Sequence, residues 1–192
     1  MSCIMEIKEL GLKCELIEVS WKRNKNVTEL NQLNPLETTP VLVGDDGKVL
    51  AQNIAILEYF ADQYSKGAHL APAGTWERAQ TLQWLSFVAS DFHKAFGPIF
   101  RSEAMTQSEA AQQEIEQFAK KNVIEYLHYI ENALKEDGYI CGPQFTIADC
   151  YLYTVLGWCE PVEVSLVEFK KINAYMQRMS QRPGIKQALE LE

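Results

Sequence analysis

Apolar positions in the first third of the chain alternate between strand-like and helix-like spacings. The apolar content of Cys14–Val19 alternates around two single glutamates, which predicts a half-buried strand. Pro40–Val43 is a compact apolar run, and the turn signal Asp45-Asp46-Gly47 leads into a second run, Lys48–Ala51, which predicts a β-hairpin. Helical spacing predicts helices over Ser2–Leu10, Val27–Leu33 and Asn53–Tyr64. Short strands and helices of this kind predict an α/β domain over residues 1–64.

The remainder of the chain carries only helical patterns. Gly and Pro in residues 65–75 indicate a linker, and an all-helical domain is predicted over residues 76–192. Amphipathic spacing predicts its helices at 76–101, 108–135, 146–158 and 166–181. Thr146 and Asp149 have the spacing of a capping box at one helix start, and Pro183 is predicted to stop the last helix.

Composition and charge exclude several classes of protein. Lys and Arg number 18 against 26 Asp and Glu, which gives a net charge of −8 and no dense basic cluster for nucleic acid. No apolar stretch approaches the roughly 20 residues that span a membrane. The five cysteines and three histidines lack the spacing of a disulfide framework or metal site. We therefore expect a cytoplasmic protein without a metal, a membrane or a nucleic-acid partner.

Four motifs along the chain resemble those of the cytosolic glutathione transferases, and most closely the bacterial beta class. They are Asn34-Pro35 with Pro40-Val41-Leu42, Asp46-Gly47 with Leu50 and Gln52-Asn53, Phe92-His93-Lys94, and Gly142 with Phe145-Thr146-Ile147-Ala148-Asp149. The resemblance covers nearly the whole chain. It implies a thioredoxin-like N-terminal domain, an all-helical C-terminal domain, and a homodimer that binds glutathione in the cleft between the domains.

The resemblance implies that glutathione is bound at two places in the first domain. A cis Thr39–Pro40 bond would turn the backbone of Thr39 outward to meet the cysteinyl unit, whereas the alternative is a trans proline entering an edge strand. Gln52 and Asn53 precede a helix whose unpaired N–H groups suit the γ-glutamyl carboxylate. The family usually has an acidic residue at Gln52, so this neutral side chain lacks a charge-assisted bond to the ammonium. The alternative for Asn53 is a simple helix cap.

Further positions follow from the same resemblance. Lys22 is expected near the glycyl carboxylate, although a solvated basic loop is the alternative. Ser86 would reach a neighbouring subunit's glutathione across a dimer interface. His93 is expected to donate a hydrogen bond to the glutathione thiol or to accept one from it, since imidazole titrates near neutrality, and the alternative is a packed histidine. Phe96 and Trp158 would form an apolar wall for the co-substrate, the alternative being that they are packed core side chains.

One part of the family pattern has no counterpart in this sequence. The family's first domain opens with a strand and a loop whose Tyr, Ser or Cys contacts the glutathione sulfur, and the alignment places Met1 just after that loop. The missing strand would lie between the predicted strand at Cys14–Val19 and the hairpin, so unpaired groups there would cost about 1–3 kcal/mol each if buried. Three explanations compete: a true start upstream of Met1, which we favour; an inactive copy; or Cys3 facing the sulfur, because a helix start lowers a thiol pKa.

The resemblance implies an enzyme that transfers glutathione to small apolar electrophiles. The glutathione thiolate would attack the electrophile, and the protein would favour the thiolate near neutral pH. Two alternatives remain open. One is a non-catalytic protein that binds glutathione, apolar ligands or a partner, which the absent strand favours. The other is a glutathione-dependent disulfide or peroxide reductase, which requires a cysteine nucleophile.

Overall fold

A computed structural model describes residues 1–191. In chain order the elements are α1 (Ser2–Glu9), α2 (Val27–Leu33), β1 (Val41–Val43), β2 (Val49–Ala51), α3 (Asn53–Tyr64), α4 (Trp76–Phe87), a π-helical turn (Val88–Phe92), α5 (His93–Ala95), α6 (Gly97–Met105), α7 (Glu109–Ala133), α8 (Ile147–Leu156), α9 (Lys170–Gln181) and α10 (Pro183–Leu189). None of the helices among these residues is both long and apolar enough to cross a membrane.

The predicted hairpin and the three predicted helices of the first domain are confirmed. The strands β1 and β2 are antiparallel, with the register Val41↔Ala51, Leu42↔Leu50 and Val43↔Val49. α1 and α3 pack against each other, and their apolar side chains, among them Met5, Leu57 and Phe60, are buried. This arrangement of a small sheet and helices is the first, thioredoxin-like domain of the fold, and its core lies on the helical side of the hairpin.

The predicted strand over Cys14–Val19 is wrong. The segment has no regular secondary structure, and the described part of the chain forms a single two-stranded sheet in which this segment takes no part. A strand is held by hydrogen bonds to a neighbouring strand, and this segment has no such neighbour. Its backbone instead runs over the surface, where Leu16 is 42% exposed and Ile17 is 67% exposed. The cost expected for buried unpaired groups is therefore avoided, because water reaches this segment.

The second domain is helical, as predicted, but its first long helix is not continuous. The predicted helix over 76–101 is interrupted by the π-helical turn at Val88–Phe92 and breaks again before α6. Arg101 inside α6 has φ −132°, which is outside the helical range. The apolar face predicted on this segment is nevertheless buried, since Leu85, Val88 and Phe92 have no exposed surface. The π-helical turn shifts the helical register immediately before His93.

Pro183 begins a helix, which corrects the prediction that it only stops one. α9 ends at Gln181, and Pro183 occupies the start of α10, where its missing N–H group and fixed φ cost nothing. α10 then packs on α1 of the first domain. Gly184 allows this close approach, because a Cβ atom at that position would lie 2.5 Å from the backbone nitrogen of Glu9. Arg182 adds an ion pair to Glu9 at the same contact.

The capping box predicted at the start of α8 is confirmed. The Asp149 carboxylate accepts hydrogen bonds from the Thr146 backbone nitrogen at 2.8 Å and the Thr146 hydroxyl at 3.0 Å. It also accepts from the backbone nitrogen of Ile140 at 2.9 Å and the Tyr175 hydroxyl at 3.2 Å. Complete burial raises the pKa of Asp149 to about 6, although these donors act in the opposite direction. Asp149 thus joins α8, α9 and the preceding loop, and its role is in folding.

Candidate functional site

The amino end of α3 is held by the first turn of α1. The Ser2 hydroxyl donates a hydrogen bond to Oδ1 of Asn53 at 2.6 Å, and the Cys3 thiol donates to the same oxygen at 3.2 Å. The Nδ2 group of Asn53 is buried and has no hydrogen-bond partner among residues 1–191. Because a buried amide NH₂ that makes no hydrogen bond costs free energy, this group is available to an acceptor such as a carboxylate oxygen.

The side chain of Asn53 does not cap α3, although a simple helix cap was the alternative explanation for this residue. The N-cap position of α3 is Gln52, and no side chain caps this end of the helix. Asn53 is the first helical residue, and its side-chain oxygen is occupied by the two α1 donors, so the simple-cap explanation is wrong. Gln52 has φ +77°, a backbone conformation that costs a non-glycine residue about 1–3 kcal/mol. The exposed Gln52 side chain and the free helix end therefore lie side by side.

The other predicted glutathione contacts of this domain lie on exposed loops. The Thr39–Pro40 peptide bond is cis, as predicted, and Thr39 is exposed just before β1. Asn34 fixes this loop by donating from its side chain to the Thr38 carbonyl oxygen at 2.8 Å. Lys22 is exposed, and its amine contacts no partner within the part of the chain that the structure describes. The ligand roles of Thr39, Pro40 and Lys22 remain predictions.

His93 lies where the π-helical turn joins α5. Its Nδ1 atom is 2.8 Å from the hydroxyl of Tyr151 on α8, and its ring stands perpendicular to the Trp158 ring at a centroid distance of 4.6 Å. Partial burial, followed by the positive charges of Lys94 and Arg101, lowers the pKa of His93 below its ordinary 6.5. Both effects favour the neutral form of the imidazole. A neutral imidazole carries one N–H donor and one acceptor nitrogen, so the Tyr151 contact uses only half of its capacity.

The aromatic wall predicted beside His93 is built differently from the prediction. Phe96 is completely buried, which matches the packed-core alternative for this residue. Trp158 packs edge to face on Phe96 and on Phe100, at centroid distances of 5.7 and 5.8 Å. Phe100 is 53% exposed and Trp158 is partly exposed. The apolar surface available to a ligand here thus comes from Phe100 and Trp158, with Phe96 packed beneath them.

The lowered thiol pKa expected for Cys3 is wrong. Cys3 is 7% exposed, and burial raises its pKa to about 12 in spite of its place at a helix start. The desolvation of the thiolate outweighs the opposing effect of the positively charged amino terminus. Cys3 is therefore a neutral thiol that donates to Asn53, and its chemistry does not suit a nucleophile.

Ser86 is exposed on α4, where its hydroxyl is accessible from outside the chain.

Tyr151 and Phe100 belong to this region but to none of the motifs found in the sequence. Tyr151 joins His93 to α8, and burial raises its pKa to about 12, followed by a smaller effect of the nearby Cys3 thiol. Tyr151 thus lies between the His93 cluster and the first turn of α1. A buried tyrosine needs a partner for its hydroxyl, which is the signal that could have drawn attention to it. Phe100 follows Phe96 by four residues, the helical spacing that extends an aromatic face.

No group of three His, Cys, Asp or Glu side chains that could hold a metal occurs among the described residues.

Family models cover both domains of the chain. The N-terminal domain model of glutathione S-transferases matches residues 3–63, and the C-terminal domain model matches residues 86–183. Together they include the amino end of α3 as well as His93 and Trp158.

Relatives and solved structures agree with these models. Glutathione S-transferase GstA of Escherichia coli O157:H7 is 38% identical over 188 residues, which are 97% of this chain and 90% of the relative. The beta-class glutathione S-transferase of Sphingomonas chungbukensis has a TM-score of 0.88 and 31% identity, over 99% of this chain and 92% of that one. A sphingomonad glutathione S-transferase, solved with glutathione bound, has a TM-score of 0.87 and 29% identity over the same shares. The chain therefore belongs to the glutathione S-transferase family.

Proposed function

We propose that the chain binds glutathione with its γ-glutamyl carboxylate at the amino end of α3. The observation that carries the proposal is the buried, unpaired Nδ2 group of Asn53 beside helix N–H groups that no side chain caps. The partial positive charge of a helix start favours an anion at this position. Gln52 would hydrogen-bond the γ-glutamyl unit. The sphingomonad structure solved with glutathione supports the choice of ligand.

The remaining contacts follow the length of the tripeptide. The exposed main chain of Thr39, held by the cis bond to Pro40, would pair with the cysteinyl unit, and the unpartnered amine of Lys22 would meet the glycyl carboxylate. Ser86, exposed on α4, would complete the site of a second subunit in a homodimer. The five free cysteines support a location in the reducing cytoplasm.

The proposed reaction is the transfer of glutathione to a small apolar electrophile. The thiol releases its proton to solvent water, the sulfur forms a bond to an electrophilic carbon, and a leaving group such as chloride departs with the bonding electron pair. His93 would face the sulfur, where a neutral imidazole N–H group stabilises the thiolate by a hydrogen bond. Phe100 and Trp158 would hold the apolar co-substrate, and binding both molecules in one cleft lowers the entropic part of the barrier.

Calorimetry and a turnover assay test the proposal together. Glutathione should bind with a saturable heat, and 1-chloro-2,4-dinitrobenzene should be converted to its glutathione adduct. Asn53→Ala should weaken glutathione binding about tenfold, which corresponds to the loss of one hydrogen bond to a charged group. Gln63→Ala is the matched control, because this exposed amide lies at the other end of α3 and should leave binding unchanged.

The outcomes separate the transferase from the non-catalytic alternative. Binding together with turnover supports the transferase. Binding without turnover supports the non-catalytic alternative and overturns the proposed reaction. An absence of saturable heat would overturn the proposed glutathione site itself.

A further inference from the structure

Tyr151 and His93 come together from positions 58 residues apart in the chain. Tyr151 lies on α8 and is 7% exposed, while His93 begins α5 after the π-helical turn. The Tyr151 hydroxyl is 2.8 Å from Nδ1 of His93, and the perpendicular Trp158 ring packs on the imidazole. One hydrogen bond and one ring contact therefore fix both the position and the rotation of the imidazole.

The direction of this hydrogen bond follows from the contacts of Tyr151. His93 Nδ1 is the hydrogen-bond partner that the structure gives to this hydroxyl, and no other side chain or carbonyl among residues 1–191 accepts its proton. If Nδ1–H donated to the tyrosine oxygen, the buried O–H group would lack an acceptor, which is unfavourable. Tyr151 therefore donates to Nδ1, and the imidazole proton lies on Nε2.

The Nε2–H group is then available for a ligand. Among the described residues nothing accepts a hydrogen bond from this atom, whereas Nδ1 is occupied by Tyr151. A hydrogen bond from Nε2–H to a thiolate sulfur would stabilise the negative charge. In the opposite tautomer, Nε2 would present a lone pair to the sulfur and would repel the thiolate. The tautomer of His93 therefore decides whether it assists the reaction.

We propose that Tyr151 is a positioning residue that holds His93 as the Nε2–H tautomer, so that His93 donates a hydrogen bond to the glutathione sulfur. This inference rests on the proposed function of His93. In this role Tyr151 acts through its hydrogen bond to Nδ1 of His93. Tyr151 thereby connects α8 to His93, the group that would stabilise the thiolate.

The test combines Tyr151→Phe with His93→Asn and the double variant. Tyr151→Phe removes only the hydroxyl group and should lower the turnover number about tenfold, the usual size of an effect transmitted through a supporting hydrogen bond. Glutathione binding should change little. In the His93→Asn background the same change should cost no further turnover, since the two residues act through one hydrogen bond. If Tyr151→Phe lowers the turnover number by the same factor in the wild type and in His93→Asn, the proposal is overturned.

The tautomer can be measured without any activity. Nitrogen chemical shifts of the His93 ring should report a protonated Nε2 in the wild type, and a mixture of tautomers with a higher imidazole pKa in Tyr151→Phe. Tyr175→Phe is the control, because it removes another buried hydroxyl that bonds Asp149 and should leave the His93 signals unchanged. A wild-type ring protonated on Nδ1 would refute the positioning role. A chain without turnover whose ring is protonated on Nε2 would refute the transferase and leave the positioning role intact.

Discussion

The loop side of the first domain and the helical domain differ in how their side chains are held. In α8 almost every residue is buried, and its start is fixed by the four hydrogen bonds of Asp149. The segment around Leu16 and Ile17 lies on the surface without regular structure, and the hairpin strands are only partly buried. The well-packed helical domain contains His93 and Trp158, and the exposed loops of the first domain contain Thr39 and Lys22. Binding sites commonly combine a rigid support with more mobile loops.

The largest expected effect lies in the helical domain. Asp149→Ala should lower the free energy of unfolding by about 3–4 kcal/mol, because several buried donors lose their acceptor at once. Chemical denaturation monitored by circular dichroism measures this change. A loss below about 1 kcal/mol would show that the hydrogen bonds of Asp149 contribute no more to stability than an ordinary helix cap.

The contact between the domains should be the next most sensitive place. Gly184→Ala forces a methyl group against the backbone of Glu9 and should cost about 1–3 kcal/mol of stability. Gly97→Ala is a matched control, since a Cβ atom there would meet no atom within 4 Å. Denaturation of both variants should separate them, and equal midpoints would mean that α10 does not press on α1 as the structure has it.

His93 should make stability depend on pH in a defined direction. In the unfolded chain its pKa is near the ordinary 6.5, and in the folded protein it is lower, so between these values the unfolded chain binds more protons. The stability that neutral His93 confers is complete above pH 6.5 and is lost as the pH falls below it. The difference in unfolding free energy between the wild type and His93→Asn should therefore shrink from pH 7 to pH 5. A difference that grows over this range would contradict the lowered pKa.

The smallest effect is expected in the exposed segment of the first domain. Ile17→Ala removes a side chain that is 67% exposed and should change the free energy of unfolding by less than about 0.5 kcal/mol. The same denaturation series measures it. A loss close to that of Gly184→Ala would mean that this segment is packed in solution and would remove the contrast between the two regions.

Local patterns account for what could be predicted from the sequence. The hairpin, α2, α3 and the Thr146–Asp149 capping box depend on residues close together in the chain, so spacing and turn residues suffice to find them. The predicted strand at Cys14–Val19 failed because a strand depends on a distant partner, which periodicity does not report. The π-helical turn is not predicted, because Leu85, Val88 and Phe92 recur at the intervals of three and four residues that are typical of an ordinary α-helix.

The candidate site shows the same division. Gln52, Asn53 and His93 were found through their resemblance to family motifs, but the contacts that define their chemistry were not. Asn53 receives its donors from Ser2 and Cys3, and His93 is oriented by a tyrosine on another helix. Burial also reversed the expected pKa shift of Cys3. Such long-range packing and desolvation become visible only in three dimensions.

Nuclear magnetic resonance of the Asn53 side-chain amide during a glutathione titration tests the proposed carboxylate site most directly. We expect large, saturable shifts of its two Nδ2 protons and of the first backbone amides of α3, since a carboxylate would accept hydrogen bonds from these groups. Gln63, at the far end of the helix, should show little change. Unchanged Asn53 signals in a sample that binds glutathione would show that the carboxylate does not bind at the amino end of α3.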